Sequence, residues 1–126
     1  MDLLDTKLFD LIGDDGFHRL TAAFFRRVPH DEILRPMYEH DLAGAEWRLR
    51  EFLVGRFGGP TRYIEQRGHP RLRMRHAPYK IDTAARDRWI ATMNQALAEA
   101  QLPPEADAAL RRFFDDAATF MINRPD

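Results

Sequence analysis

The sequence contains no cysteine. That excludes disulfides, thiolate catalysis, Cys-based zinc sites and covalent cofactor attachment through a Cys-x-x-Cys-His motif. It fits a reducing compartment, and a cytoplasmic location is the expectation. Serine is also absent, so no Ser-His-Asp triad can be built. No stretch approaches the roughly 18 consecutive apolar residues that would suggest a membrane span. The acidic N-terminus, with Asp2 and Asp5, does not read as a secretory signal. Charge is nearly balanced, with 19 basic and 20 acidic residues and a formal net charge of -1. Nothing global therefore favours nucleic acid or an anionic membrane as a partner. The five histidines (His18, His30, His40, His69 and His76) form neither His-x-x-x-His nor His-Glu-x-x-His, the spacings of helical zinc sites.

What is present is an ordinary soluble composition, 44% apolar and 31% charged, over 126 residues. One domain spanning residues 1–126 is expected, and at that size it buries roughly two-thirds of its unfolded surface. Apolar residues recur at helical spacing in several places. A short helix is read over Thr6 to Ile12, followed by a turn at Gly13-Asp14-Asp15-Gly16, with Asp15 as a candidate cap. Phe17, Leu20, Phe24, Phe25 and Val28 form the stripe of a second helix that Pro29 ends. Asp31 to Arg35 is read as a single turn and Pro36-Met37-Tyr38 as a connection.

Asp41 is the expected cap of a helix over Leu42 to Phe57, which Gly58-Gly59-Pro60 terminates. Thr61 to Pro70 shows no sustained period and is read as a long loop, for which function is one explanation. Asp82 should cap a helix from about Thr83 to Gln101, and Pro104 should start the last helix. No strand has a partner, so the fold class is all-α, with four main helices around one core.

The segment Arg71-Leu72-Arg73-Met74-Arg75-His76-Ala77-Pro78 carries the most distinctive chemistry. Arginines alternate with Leu72, Met74 and His76, and Pro78 then stops the element. Leu72 and Met74 could pack inward beside the imidazole. A lone histidine cannot hold zinc, but one axial nitrogen suffices for a haem, whose porphyrin supplies four ligands. The cations Arg67, Arg71, Arg73, Arg75 and Lys80 would also suit a nucleic-acid surface, a reading that the near-zero net charge disfavours. Phe113 and Phe114 are assigned to the core. Trp89 needs a partner for its N–H if buried.

Several motifs in this order resemble a truncated haemoglobin of the group II branch. They are Phe24-Phe25, Leu34-Arg35-Pro36-Met37-Tyr38, Asp41-Leu42-Ala43-Gly44-Ala45, Gly58-Gly59-Pro60, Glu65 to Pro78, and Ala85-Arg86-Asp87-Arg88-Trp89. The resemblance covers about Phe17 to Met93. It implies a two-over-two helical sandwich around a b-type haem. It also implies His76 as the proximal iron ligand, with its other ring nitrogen donating to a backbone carbonyl. Arg48, Tyr63 and Arg75 match positions that reach the haem propionates, and Met74 is expected at the haem edge. Arg71 and Arg73 are left as surface or loop-bracing residues. On the distal side the matching positions are Phe25, Tyr38, Ala45, Leu49, Phe52 and Trp89.

Within the distal set Trp89 and Tyr38 are the only clear hydrogen-bond donors. Ala45 stands where many globins carry a gating histidine or glutamine. Phe25 departs from the branch, which usually has tyrosine there, and so removes one donor. The implied function is binding of O2 and other diatomic ligands (NO, CO), in oxygen, NO or redox chemistry rather than bulk transport. The alternative is a haem-dependent oxidoreductase, with NO dioxygenation or peroxide turnover as its main role. No His or Arg is clearly placed as a distal acid–base pair for peroxide cleavage. A reductase partner and a homodimer are compatible with this reading.

Overall fold

A computed structural model describes residues 3–125, with side chains from residue 7 onward. Asp2 of the acidic N-terminus lies outside the described residues. The architecture is all-α: seven helices and one 3-10 turn among the described residues, with no strand.

The first span, α1 (Leu3–Arg27), is two helical arms separated at a kink, as expected, although the break is one residue rather than a four-residue turn. Only Gly13 leaves the helical region, at φ 64 and ψ -176. An L-residue rarely tolerates that conformation, so a single glycine makes the bend. Asp15 does not cap the second arm; it pairs with Arg19 one turn on, at 2.9 Å. After α1 comes a 3-10 turn at Val28–His30. The next helical turn, α2 (Arg35–Tyr38), begins one residue before Pro36, so the residues read as a connection are themselves helical. Asp31 prepares that turn, its carboxylate accepting from the N–H groups of Ile33 and Leu34 at 2.9 and 3.0 Å.

Helices α3 (Leu42–Arg56), α6 (Thr83–Ala100) and α7 (Pro104–Phe120) lie close to the expected bounds. Their starts follow from local chemistry. Asp41 accepts from Gly44 N–H at 3.0 Å and Asp82 from Ala85 N–H at 2.9 Å, each satisfying a donor that the helix leaves free. Pro104 begins α7 where its missing N–H costs nothing.

The segment from Thr61 to Pro70 is not a loop throughout. It contains α4 (Arg62–Arg67), which Gly68 ends at φ 74. Six residues are too few to show a hydrophobic period, and Tyr63 is the only buried one. The helix is anchored instead by ion pairing of Arg62 with Glu51, which is 4% exposed on α3. Arg71 to His76 likewise becomes a short helix, α5 (Leu72–His76), and not a strand.

Helix α1 packs on α3 and α6, and α6 packs on α7. Phe17, Leu20, Phe24, Leu53, Phe57, Met93, Leu97 and Leu110 are fully buried between them. Burial of each such side chain contributes about 1.5–3 kcal/mol relative to exposure. Beside this core lies a cavity lined by residues of α1, α3, α6 and α7 together with α2, α4 and α5.

Candidate functional site

The cavity has a volume of about 470 Å³. That is within the range of small-molecule and cofactor sites, about 300–1,000 Å³. Its walls are mostly apolar: Phe25 from α1, Leu49 and Phe52 from α3, Phe113 and Phe114 from α7. Phe113 and Phe114 thus serve as cavity wall as well as core, a dual role that a helical stripe alone does not reveal. Of the expected site residues, Phe25, Tyr38, Ala45, Arg48, Leu49, Phe52, Tyr63, Arg75, His76 and Trp89 all line this one cavity.

Met74 does not. It is 60% exposed and lies outside the lining. The reason is helical geometry: Leu72, Arg75 and His76 sit at i, i+3 and i+4 and share the inner face of α5, while Met74 at i+2 points away. Alternation would have put Leu72, Met74 and His76 on one side; the helix replaces Met74 with Arg75.

His76 Nδ1 lies 2.6 Å from the Leu72 carbonyl oxygen. A carbonyl can only accept, so Nδ1 carries the proton and Nε2 is left with a free lone pair. The other histidines differ. His18 and His30 are exposed, and His69 Nδ1 accepts from the Arg71 backbone N–H at 3.1 Å, bracing the turn. His40 is exposed yet reaches the cavity rim, a placement not expected from its charged surroundings.

Near α2, Trp89 Nε1 donates to the Tyr38 hydroxyl at 3.1 Å. The two expected donors are therefore in series. The indole N–H is committed to Tyr38, and the phenol proton is the one left to point elsewhere. Burial pushes the Tyr38 pKa up from its ordinary value; the Trp89 hydrogen bond opposes this and Tyr79 adds to it. The hydroxyl stays protonated, and so a donor, throughout the neutral range. Edge contacts of Phe25 with Tyr38 (5.4 Å) and of Trp89 with Phe114 (5.5 Å) fix the rings.

Cations rim the cavity. Arg48 pairs with Asp41 at 3.3 Å, and the hydrogen bonds from Gly44 and then Arg48 hold the Asp41 carboxyl below its usual range. Arg75 donates to the Arg67 carbonyl at 3.1 Å, but its buried Nε has no partner among the described residues. Arg86, which spacing did not single out, also reaches the cavity. Burial alone would lower its pKa; ion pairing with Asp115 and Asp87 outweighs this and raises it. No three His, Asp or Glu side chains cluster as a metal site among the described residues. A metal held here would have to bring most of its ligands with it.

The sequence model of the bacterial-like globin family matches residues 7–123. A group 2 truncated haemoglobin of Bacillus subtilis (strain 168) is 30% identical over 118 residues, 94% of this chain and 89% of the relative. The chain belongs to the group II truncated haemoglobins. Solved structures agree. A thermostable haemoglobin of Thermobifida fusca is 43% identical with a TM-score of 0.90, over 95% of this chain and 99% of that one. A group II truncated haemoglobin of Bacillus anthracis is 28% identical with a TM-score of 0.90, over 95% and 93%. The fold is therefore the two-over-two globin sandwich, and the family binds haem and diatomic ligands.

The cavity of this truncated haemoglobin suits that group. It offers apolar walls for a porphyrin, one imidazole with a free lone pair, and an unpartnered buried guanidinium nitrogen for a carboxylate. No helix among the described residues is long and apolar enough to cross a membrane.

Proposed function

We propose that this truncated haemoglobin holds a b-type haem in the cavity through His76 and binds O2, and also NO and CO, beside the Tyr38–Trp89 pair. One observation carries the reading: His76 faces the cavity with Nδ1 tied to the Leu72 carbonyl, which frees Nε2 as a ligand. That carbonyl also fixes the tautomer and the orientation of the imidazole. The haem supplies an iron centre that takes diatomic ligands and changes oxidation state.

The chain's own residues do the rest. Arg75, with its Nε unpartnered, Arg48 and Tyr63 hold the propionates, and charge-assisted pairing suits the two guanidiniums to this. Phe52, Leu49, Phe113 and Phe114 exclude water. The Tyr38 hydroxyl donates to a bound ligand that carries partial negative charge, and Trp89 polarises that hydroxyl by donating to its oxygen. Ala45 offers no hydrogen bond and leaves a small residue at the cavity wall. A single aimed donor suits oxygen, NO or redox chemistry more than bulk transport.

His40 favours a second reading, since it brings a titratable imidazole to the same cavity as Tyr38. In that reading the main role is haem-dependent oxidation, by NO dioxygenation or peroxide turnover, and in peroxide turnover His40 moves the proton. The cytoplasm is the proposed location.

Titration of the purified protein with haemin tests the cofactor. A one-to-one complex with a Soret band is expected, and a protein that takes up no haemin would overturn both readings. Peroxide turnover that falls tenfold or more in His40→Gln would favour the second; a rate unchanged in that variant would leave the first.

A further inference from the structure

The near-zero net charge hides an uneven distribution. Residues 61–80 hold six of the 19 basic residues and one of the 20 acidic ones, a local charge of +5 against -6 for the remainder. Within that segment Arg62 pairs with Glu51 and Asp14, and Lys80 with Asp82; elsewhere Arg19, Arg26, Arg27, Arg48, Arg50, Arg86, Arg88 and Arg111 each meet a carboxylate, while Arg35, Arg56, Arg112 and Arg124 meet none among the described residues. Arg67, Arg71, Arg73 and Arg75 have none within ion-pair distance among the described residues.

Helix α5 sorts this group by face. Leu72, Arg75 and His76 turn to the cavity, while Arg71, Arg73 and Met74 are exposed. Arg73 donates to the Ile122 carbonyl at 3.3 Å and Arg124 to the Ala77 carbonyl at 3.4 Å, which brings a further cation from the C-terminus to the same side. Met74, 60% exposed, thus shares this short segment with the exposed Arg71 and Arg73, neither of which meets a carboxylate among the described residues.

We propose that this outer face of α5, Arg71, Arg73 and Met74 with Arg124, is the docking surface for an acidic electron-carrier protein bearing an iron–sulfur or flavin centre. The proposal rests on the haem reading above. It places the carrier about one helix diameter, roughly 10 Å, from the cavity that His76 lines. One electron leaves the reduced carrier, the ferric iron becomes ferrous, and the carrier ends one electron more oxidised; no proton or bond changes hands. Small interfaces of this kind depend on complementary charge for encounter, and a flexible thioether at their centre adapts to the partner's surface. A nucleic acid would use the cations but has no need of Met74.

The test is the affinity of haem-loaded protein for a fluorescently labelled plant-type ferredoxin, an acidic iron–sulfur carrier, between 10 and 200 mM salt. Affinity should fall about tenfold or more over that range, as screening shortens the reach of the patch. The double variant Arg71→Glu, Arg73→Glu should lose about tenfold or more at low salt while keeping the Soret band. Met74→Ala should weaken binding severalfold without changing the salt slope. Arg112→Glu, an exposed reversal on α7, should change little. The proposal is overturned if the double variant binds as well as the parent, if Arg112→Glu is as damaging, or if single-stranded DNA or phosphatidylserine vesicles bind this face more tightly than ferredoxin. A protein that takes up no haemin removes the haem reading and this proposal together; a haem-loaded protein indifferent to ferredoxin removes only the proposal.

Discussion

Two parts of the cavity wall are built differently. Around Tyr38 and Trp89, aromatic rings interlock: Phe25 is 3% exposed, Phe24 meets Trp89 at 5.0 Å, and the one polar contact is satisfied internally. Around His76, the wall is a five-residue helix with no buried residue, one orphaned guanidinium nitrogen, and a left-handed residue, Arg71 at φ 45, at its start. The first wall is a face of the core and keeps its shape without help. The second is held by a few hydrogen bonds, and whatever occupies the cavity should stabilise it. Local opening tracks this kind of difference in buried contact.

The largest break in the comparison is His76→Ala. Removing the imidazole should lower haem affinity by more than about 100-fold, beyond the effect of losing an outer partner of a metal ligand. It should also erase the haem-induced protection of amides in residues 61–81 while leaving α1 and α6 unchanged. Competition for haem with apomyoglobin and hydrogen exchange measure the two effects. Equal haem affinity in parent and variant would mean that another group holds the iron.

Tyr38→Phe acts on the ordered wall. It removes the phenol that Trp89 currently satisfies, leaving the indole N–H without its acceptor at about 1–3 kcal/mol. O2 dissociation should rise about tenfold to a hundredfold. The parent rate should be flat in pH through neutrality, because burial raises the Tyr38 pKa from its ordinary value. The linked contribution to stability has the same sign: it is intact below the ordinary tyrosine range and is lost as pH rises past it toward the raised folded value. A step in the dissociation rate within the neutral range would show that a group other than Tyr38 controls it.

Much of the fold is legible in the sequence because helix ends are local. Asp41, Asp82 and Pro104 announce theirs within a few residues. So is most of the cavity, since motifs as far apart as Phe24-Phe25 and Trp89 point to one pocket through their resemblance to a family. What is not legible is tertiary or too short. Helix α4 lacks the length to show a period. Met74 turns outward because alternation and a five-residue helix predict different faces.

Asn123 carries no local signal at all, yet its side chain joins three backbone groups. It accepts from Ile81 N–H at 3.0 Å and donates to the His76 and Tyr79 carbonyls at 3.2 and 3.1 Å. Asn123→Ala should therefore cost about 1–2 kcal/mol in thermal or denaturant unfolding. The damage should be confined to the His76 wall, read as faster haem loss at an unchanged rate of O2 dissociation. Slower or faster O2 release in this variant would show that the two walls are coupled.

The smallest expected effect lies at Phe25, where the ordered wall lacks a donor. The ring lies T-shaped to Tyr38 and lines the cavity, where tyrosine would add a para hydroxyl. In Phe25→Tyr that hydroxyl can donate to a bound ligand or to the Tyr38 oxygen. Either way the existing Trp89–Tyr38 series gains one member. The net worth of one added hydrogen bond is about 1 kcal/mol, which corresponds to roughly fivefold slower O2 dissociation in flash photolysis or stopped flow. Faster dissociation would mean that the new hydroxyl pulls Tyr38 away from the ligand. An unchanged rate would place Phe25 out of reach of the ligand and leave Tyr38 as the whole of the polar distal wall.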